Sequence, residues 1–470
     1  MFYVLHRLGS QSNVIVSARY EGADLTRSAI LDALRTVVLK HSALWHVFVR
    51  QPWPKKPDEH ILQLAILTSI DLEKCVEFIV DDSQGVTTDI LERAHNEWLY
   101  TADEPDGPWW KLIIKGQDIL FVYHHNVGDG RSGQTFHREF LDALNSPTTG
   151  TYVVKRADFE GDVPADAMSV WNGKINMLEL LWLTLVLYSW VTWYGSSRIY
   201  NNFPAPKPIL RSATTVAKPE DRTVTRIVSH RIPAAKMARI LAACRENQVT
   251  FTPLLMVMLT IVLAAEFYPD AKAGFSRYVY DLRRYLPMDR VGGATEHGTM
   301  FNASSNVQHV HGLDAFRRAI PQGKLSARDT PLKSASVWPL VKQYRDVMAE
   351  TALGKGMKMW YAATTLPQTL EGAVSGTFSS MEVFLPPTYH VSNLGSFSAD
   401  RARTKPFRIT DMQFSVALTN GTISTRGLVF SVAGVKGGDT VVLAAYEEGV
   451  ATREQAQDIL DRVMARMYEV

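Results

Sequence analysis

A chain of 470 residues is too long for one ordinary core and fits two domains of about 200 residues each. With 46% apolar and 21% charged residues it has the composition of a core-forming protein, which excludes a disordered or low-complexity one. Fifty basic against 48 acidic residues leave a net charge of +2, too weak a field to grip nucleic acid, and two cysteines, Cys75 and Cys244, exclude a disulfide framework or a cysteine-built metal site.

The N-terminus, Met1 to Arg7, lacks the charged-then-apolar order of a signal peptide and reads as a strand entering the fold, so a cytoplasmic location is expected. Residues 13–20 alternate and are β-branched, predicting a strand. Residues 24–40 follow with apolar positions at helical spacing behind a cap. Residues 109–116 and 118–123 are two apolar runs joined at Gly116-Gln117, which predicts a hairpin whose second strand is buried. A helix over 131–144 follows, with Phe136, Phe140, Leu141 and Leu144 on one face and Asn145-Ser146-Pro147 to end it. Residues 180–197 carry no charge. The apolar part, 180–194, covers only about 22 Å of a roughly 30 Å hydrocarbon layer at about 1.5 Å per helical residue, so a full span is not expected. A helix buried against its own domain is the preferred reading. The alternative is peripheral contact with an intracellular membrane through its tryptophans.

The Pro-rich, irregular stretch 202–221 looks like a connector and sets the boundary between domains 1–205 and 206–470. The second half restarts with a strand at 224–232, a helix at 234–247 and an apolar helix at 252–265. Strands at 414–417, 428–433 and 440–446 precede a terminal helix at 452–467, giving a mixed α/β class.

The chemistry concentrates in His124-His125-Asn126-Val127-Gly128-Asp129-Gly130. Four fixed residues in seven positions arise by chance in a chain this long on the order of a few times in a thousand, so the segment merits a chemical reading. Adjacent histidines on a strand point to opposite faces, so they do not share a metal ion, and one is structural while the other is catalytic. A neutral His125 can take a proton from an alcohol or amine as it attacks a thioester, then return it to the leaving thiol, with no serine or cysteine nucleophile. Asp129 reads as a structural ion-pair partner, and Arg283 in Asp281-Leu282-Arg283-Arg284 is the candidate cation. Gly128 and Gly130 mark either a tight turn or a close approach of backbone or substrate. No metal site is expected: His137 is the only nearby third imidazole, and His309 and His311 share a strand face without a third ligand in sequence.

These residues resemble the HHxxxDG signature of the acyltransferase superfamily that includes chloramphenicol acetyltransferase, plant BAHD enzymes and peptide-synthetase condensation domains. The longer match is to fungal-type alcohol acetyltransferases, because residues 129–139 resemble their DGxSGxxFHR extension and Ser392-Asn393-Leu394-Gly395 resembles their SNLG. The DFGWG segment of the plant enzymes is absent, so plant-type substrates are not implied. The resemblance implies an α/β fold of two chloramphenicol-acetyltransferase-like lobes, each a mixed sheet flanked by helices, with an active-site tunnel between them. It further implies His125 as the base, His124, Asp129, Gly130 and Arg283 as support of the site, and Ser392, Asn393 and Gly395 bordering the tunnel.

The function expected is an acyl-CoA-dependent O-acyltransferase of secondary metabolism, with acyl-CoA as co-substrate, a small alcohol or amine as acceptor and no permanently bound cofactor. A condensation-type enzyme drawing on an acyl carrier protein could use the same histidine, since both donors present a phosphopantetheine thioester. A third reading is a pocket that binds or cyclises an intermediate without transfer.

Overall fold

The computed structural model describes residues 6, 13–54, 56–80, 85–97, 107–159, 178, 181, 182, 185, 189, 222, 224–285, 298–321, 323, 325–352, 389–398, 405–416, 428–449 and 451–470. The connector expected over 202–221, and with it the 205/206 boundary, lies outside them. His6 is helical, where the sequence suggested an entering strand.

The first part of the chain runs β1 (Asn13–Gly22), α1 (Arg27–Lys40), β2 (His46–Trp53), β3 (Lys56–Ile66), β4 (Ser69–Asp71), β5 (Val76–Phe78), α2 (Thr88–Asn96), β6 (Trp110–Lys115), β7 (Asp118–His124), α3 (Gly130–Asn145) and β8 (Val153–Lys155). The hydroxyl of Thr26 caps α1 by accepting the Ala29 N–H at 3.2 Å, which explains why the helix begins after the Asp24-Leu25-Thr26 stretch and not within it. The turn between β6 and β7 is made by Gly116 at φ +56°, a left-handed position that favours glycine.

The remainder runs β9 (Thr225–Ile232), α4 (Ala234–Glu246), α5 (Phe251–Val262), β10 (Ala273–Asp281), β11 (Ser304–Gly312), α6 (Asp314–Arg317), α7 (Ser334–Ala352), β12 (Tyr389–Phe397), β13 (Phe407–Val416), β14 (Leu428–Val435), β15 (Thr440–Glu447) and α8 (Arg453–Met467). The α5 helix passes at Leu263–Phe267 into a π-helical turn instead of continuing as α-helix through Ala265. Strand β13 starts at Phe407, well before the expected 414, because its buried residues Phe407, Ile409, Met412 and Phe414 all pack on the first lobe.

Two mixed sheets organise the molecule, in the orders β13-β1-β7-β6-β5 and β11-β10-β12-β14-β15-β9. In the first, β5 and β6 are parallel and the other pairs antiparallel. In the second, β12 runs parallel to both β10 and β14. Residues beyond 206 therefore build both sheets, since β13 pairs with β1 from Val14↔Val416 to Gly22↔Phe407. One face of the first sheet is covered by α1 and α3, and one face of the second by α4, α5, α7 and α8. The remaining faces meet around α2, where Ile15, Leu120 and Val122 share a core with Val429, Val441 and Leu443. That seam is where groups from the two lobes come together.

Among the described residues no single helix is long and apolar enough to cross a membrane. Of the uncharged stretch, Leu181, Trp182 and Leu185 are helical and 58%, 66% and 51% exposed. Burial against the domain therefore does not hold at these three positions, where an apolar face looks outward.

Candidate active site

Strand β7 is buried at every position and ends at His124. Its ring lies edge-on to Trp109 and His6, with centroids 5.0 and 5.4 Å away, and its Nδ1 accepts the N–H of Asn126 at 3.1 Å. Burial, and then the nearby His6 and His125 rings, hold its pKa well below the ordinary imidazole value, so His124 is a neutral packing residue that shapes the turn after the strand.

His125 points the other way and is half-buried. The Asn302 amide lies across it, with Nδ2 3.1 Å from His125 Nδ1 and donating to the His125 carbonyl at 3.1 Å. That amide is not free to flip, because its Oδ1 accepts both the backbone N–H and the hydroxyl of Ser304, at 3.3 and 3.0 Å. Burial depresses the His125 pKa, a hydrogen bond to its own backbone carbonyl and the charge of Asp129 oppose the shift, and the net direction is down. The ring is therefore neutral at neutral pH.

Asp129 is the N-cap of α3 and does not touch His125 directly. Its Oδ1 accepts the Ser132 N–H at 3.0 Å, the Ser132 hydroxyl at 3.2 Å and Arg283 Nη2 at 3.1 Å. Its Oδ2 accepts Arg283 Nη1 at 2.8 Å and the Ala303 N–H at 2.9 Å. Burial alone pushes this carboxyl up, but the charge and hydrogen bonds of Arg283, with the N–H groups of Ala303 and Ser132, outweigh it and hold the pKa below the usual carboxylate range. Burial likewise works against the Arg283 cation, yet Asp129 and Asp281 raise its pKa above the ordinary value. Arg283 also donates to the Phe301 carbonyl at 2.7 Å, and the Ser132 hydroxyl, which shares its one proton between Asp129 Oδ1 and this oxygen, lies 2.9 Å from it. The pair thus grips residues 301–303 from both sides and presents Asn302 to His125.

Gly128 and Gly130 are not at positive φ. A Cβ on Gly128 would meet Ser132 Cβ and Oγ at 2.4 Å, and one on Gly130 would meet Leu394 Cδ2 at 2.5 Å and the Phe414 ring at 3.0 Å. Close approach, not turn geometry, demands both glycines. Ser392 is buried on β12, on the same strand face as His390. Asn393 instead donates to Thr252 Oγ1 at 3.0 Å, beside the start of α5. Gly395, at φ +71° and exposed, donates its N–H to Asn393 Oδ1 at 2.8 Å where the β12–β14 register shifts. The two form a bulge that re-aims the strand across the lobes.

His137 uses both ring nitrogens inside the first lobe: Nε2 donates to the Val16 carbonyl and Nδ1 accepts from the Tyr20 hydroxyl, each at 2.8 Å. His309 and His311 stack on each other, and each meets the Tyr344 ring edge-on. Among the described residues no three His, Cys, Asp or Glu side chains gather as metal ligands. Sequence reasoning missed Ser132, Asn302 and Ser304. Asn302 precedes β11 with no motif spacing to mark it, and only the fold brings it to a residue 177 positions away.

A family model described as alcohol acetyltransferase matches residues 1–466. A probable alcohol acetyltransferase of Aspergillus fumigatus is 30% identical over 175 residues, which span 33% of this chain and 36% of that protein. Alcohol O-acetyltransferase 1 of Saccharomyces cerevisiae is 24% identical over 379 residues, or 70% of this chain and 67% of that protein. Among solved structures, a trichothecene 15-O-acetyltransferase from Fusarium sporotrichioides matches with TM-score 0.62 at 11% identity, covering 100% of this chain and 94% of that one. The condensation domain of a monacolin K polyketide synthase matches with TM-score 0.57 at 12% identity, covering 99% and 94%. At such identities the two structures show a shared fold, that of two-lobed acyltransferases and condensation domains.

Proposed function

The chain belongs to the alcohol acetyltransferase family, and we propose that, as an acyltransferase of that family, it moves an acyl group from acyl-CoA onto an alcohol with His125 as general base. What supports His125 in this role is its environment: a neutral ring at the end of a rigid strand, with Nδ1 facing both its own carbonyl and an amide that cannot turn. In the tautomer we infer, Nδ1–H and the Asn302 Nδ2–H both donate to the His125 carbonyl, the Nδ2–Nδ1 approach then being a contact and not a hydrogen bond, and Nε2 is the nitrogen that acts on the acceptor hydroxyl. Nε2 takes the hydroxyl proton as the oxygen attacks the thioester carbonyl. The tetrahedral intermediate expels the CoA thiolate, and the same Nε2–H returns the proton to sulfur. The products are ester and CoA–SH, and His125 ends neutral. Asp129 and Arg283 act in this scheme by holding Asn302, and Gly130 by letting β12 pass close to α3.

The test is thiol release from acetyl-CoA with a panel of alcohols, comparing the wild type with His125→Ala. Acceptor-dependent release that falls by roughly a hundredfold or more in the variant supports the reading. A folded His125→Ala that keeps wild-type turnover overturns it. The fold shared with condensation domains motivates one further arm, in which an acyl-loaded carrier protein replaces acetyl-CoA as donor.

A further inference from the structure

Among the described residues three buried arginines, Arg277, Arg283 and Arg466, differ in what surrounds them. Arg283 is paired with Asp129 and Asp281, and Arg466 with Glu266 and Glu469. Arg277, in the middle of β10, is as buried as either, yet its Nε and Nη2 have no hydrogen-bond partner and no carboxylate pairs with it among the described residues. A cation taken out of water without a partner is strongly unfavourable, and a protein that keeps one has a use for it.

The strand register shows where Arg277 looks. Its neighbours Ser276 and Tyr278 face α7, bonding to the Tyr344 hydroxyl and the Met348 carbonyl, so Arg277 faces the opposite side of the sheet. On β12, Tyr389 and Val391 pack with the same helices, so His390 also faces the opposite side, directly across from Arg277 in the parallel register. His390 pairs in turn with Val429, which belongs to the core shared with the first sheet. Arg277 and His390 therefore sit side by side on the face that meets the first lobe. The His390 Nε2 is buried and, like the arginine, unpartnered among the described residues. Burial lowers the His390 pKa to about 3, and the Arg277 charge, with the His125 ring whenever it is protonated, adds to that, as fits three groups that face one another. Burial lowers the Arg277 pKa to about 9, which leaves it cationic at neutral pH.

We propose that Arg277 and His390 form an anion subsite on the lobe-facing surface beside His125, and that it takes a carboxylate carried by the acyl acceptor. This rests on the reading of His125 as the reacting centre. An acceptor whose hydroxyl meets His125 extends a carboxylate a few bonds farther, past His390, to the guanidinium, which offers two donors in the planar fork that carboxylates match. The donor's phosphates are the other source of an anion, but the whole pantetheine arm separates them from the sulfur that must meet His125. The acceptors expected are therefore hydroxy acids, not only neutral alcohols.

The experiment uses 3-, 6- and 10-hydroxydecanoate with their methyl esters as acceptors, and acetyl-CoA with 3′-dephospho-acetyl-CoA as donors. Wild type is compared with Arg277→Gln and Arg277→Met. The expected result is a preference in kcat/KM for at least one acid over its ester that falls about tenfold to a hundredfold in Arg277→Gln, the scale of a lost charged hydrogen bond. Thermal shift gives a second readout: the acid should raise the melting temperature of the wild type and not of Arg277→Met, whose own ligand-free melting temperature should be no lower than the wild type's. The proposal is overturned if no acid is preferred or stabilising, if the preference survives in Arg277→Gln, if Arg277→Met is strongly destabilised without ligand, or if Arg277→Gln instead erases a preference for acetyl-CoA over its dephospho form. Should no alcohol of any kind be acylated, the transferase reading fails by itself and the thermal shift alone decides the anion site.

Discussion

Replacing Asp129 by Ala removes a side chain that is 5% exposed and strips acceptors from Arg283 Nη1 and Nη2, the Ser132 N–H and hydroxyl, and the Ala303 N–H. Arg283, 1% exposed, keeps Asp281 Oδ1 at 3.0 Å and the Phe301 carbonyl, so its charge is only partly compensated. Breaking a buried pair in this way costs about 3–5 kcal/mol, of which the lost N-cap of α3 is about 1. Arg283→Met should cost a similar amount, because it leaves the Asp129 charge buried. The double variant Asp129→Ala/Arg283→Met removes both charges, and Asp281 retains Arg131 at 3.5 Å, so it should recover most of the stability. Urea unfolding of the four proteins gives the coupling, expected at about 2–4 kcal/mol. Turnover should not recover with stability, since only the Ser132 hydroxyl then ties Phe301 to α3, Ala303 loses its anchor and Asn302 loses its aim. A coupling under about 0.5 kcal/mol would refute the buried-pair reasoning. A double variant with wild-type turnover would refute the claim that the pair acts through Asn302.

The remaining predictions concern protons and space. As a base His125 works when neutral, so activity should be present above its depressed pKa and fall as pH drops through it. Asn302→Asp puts a carboxylate against the ring, raises that pKa and should move the acid limb of the kcat profile to higher pH; an unmoved limb would mean that Asn302 does not bear on His125. Asn302→Ala should lower kcat with little change in the KM of either substrate, measured by initial rates. Burial pushes His41 and His137 down to about 4 and His95 and His311 to about 3. Their unfolded forms protonate near 6.5 and the folded forms do not, so stability should be full above that pH. It should then fall by about 1.4 kcal/mol per pH unit for each group towards pH 4, which acid unfolding followed by circular dichroism will read. Gly130→Ala should destabilise by about 1–3 kcal/mol through contact with Leu394 and Phe414; a neutral effect would mean that β12 can retreat from α3 at no cost.

Much of the fold was legible because its signals are local. The β-branched run of β1, which is buried on both faces and not alternately, the helical spacing of α1 and α3, and the Gly116 turn each follow from residues within a few positions of one another. What local pattern could not give is the partner of each strand. Strand β13 joins the first sheet from 400 positions away, at Ile15↔Ser415 and its neighbours, and that pairing is decided by burial of Ile409, Met412 and Phe414 against the first lobe. The π turn after α5 was illegible for a related reason: Leu263 and Ala264 are as apolar as the helix before them, and tertiary packing decides where it ends.

The site divides along the same line. His124, His125 and Asp129 are spaced as they are because a strand must end, turn and reach the first cap of a helix, so His125 and Asp129 belong to different elements and are separated by the length of one tight loop. That spacing is readable in sequence, but it does not say how the aspartate serves the histidine, and in the fold it does so without contact. The route runs from Asp129 and Arg283 to the backbone of Phe301 and Ala303, then to the Asn302 amide, then to the ring. Every link after Asp129 lies in the second half of the chain. The proposed base and its support can therefore be correctly arranged only when the two lobes are together, and a change that loosens the seam between them should act on His125 before it unfolds either sheet.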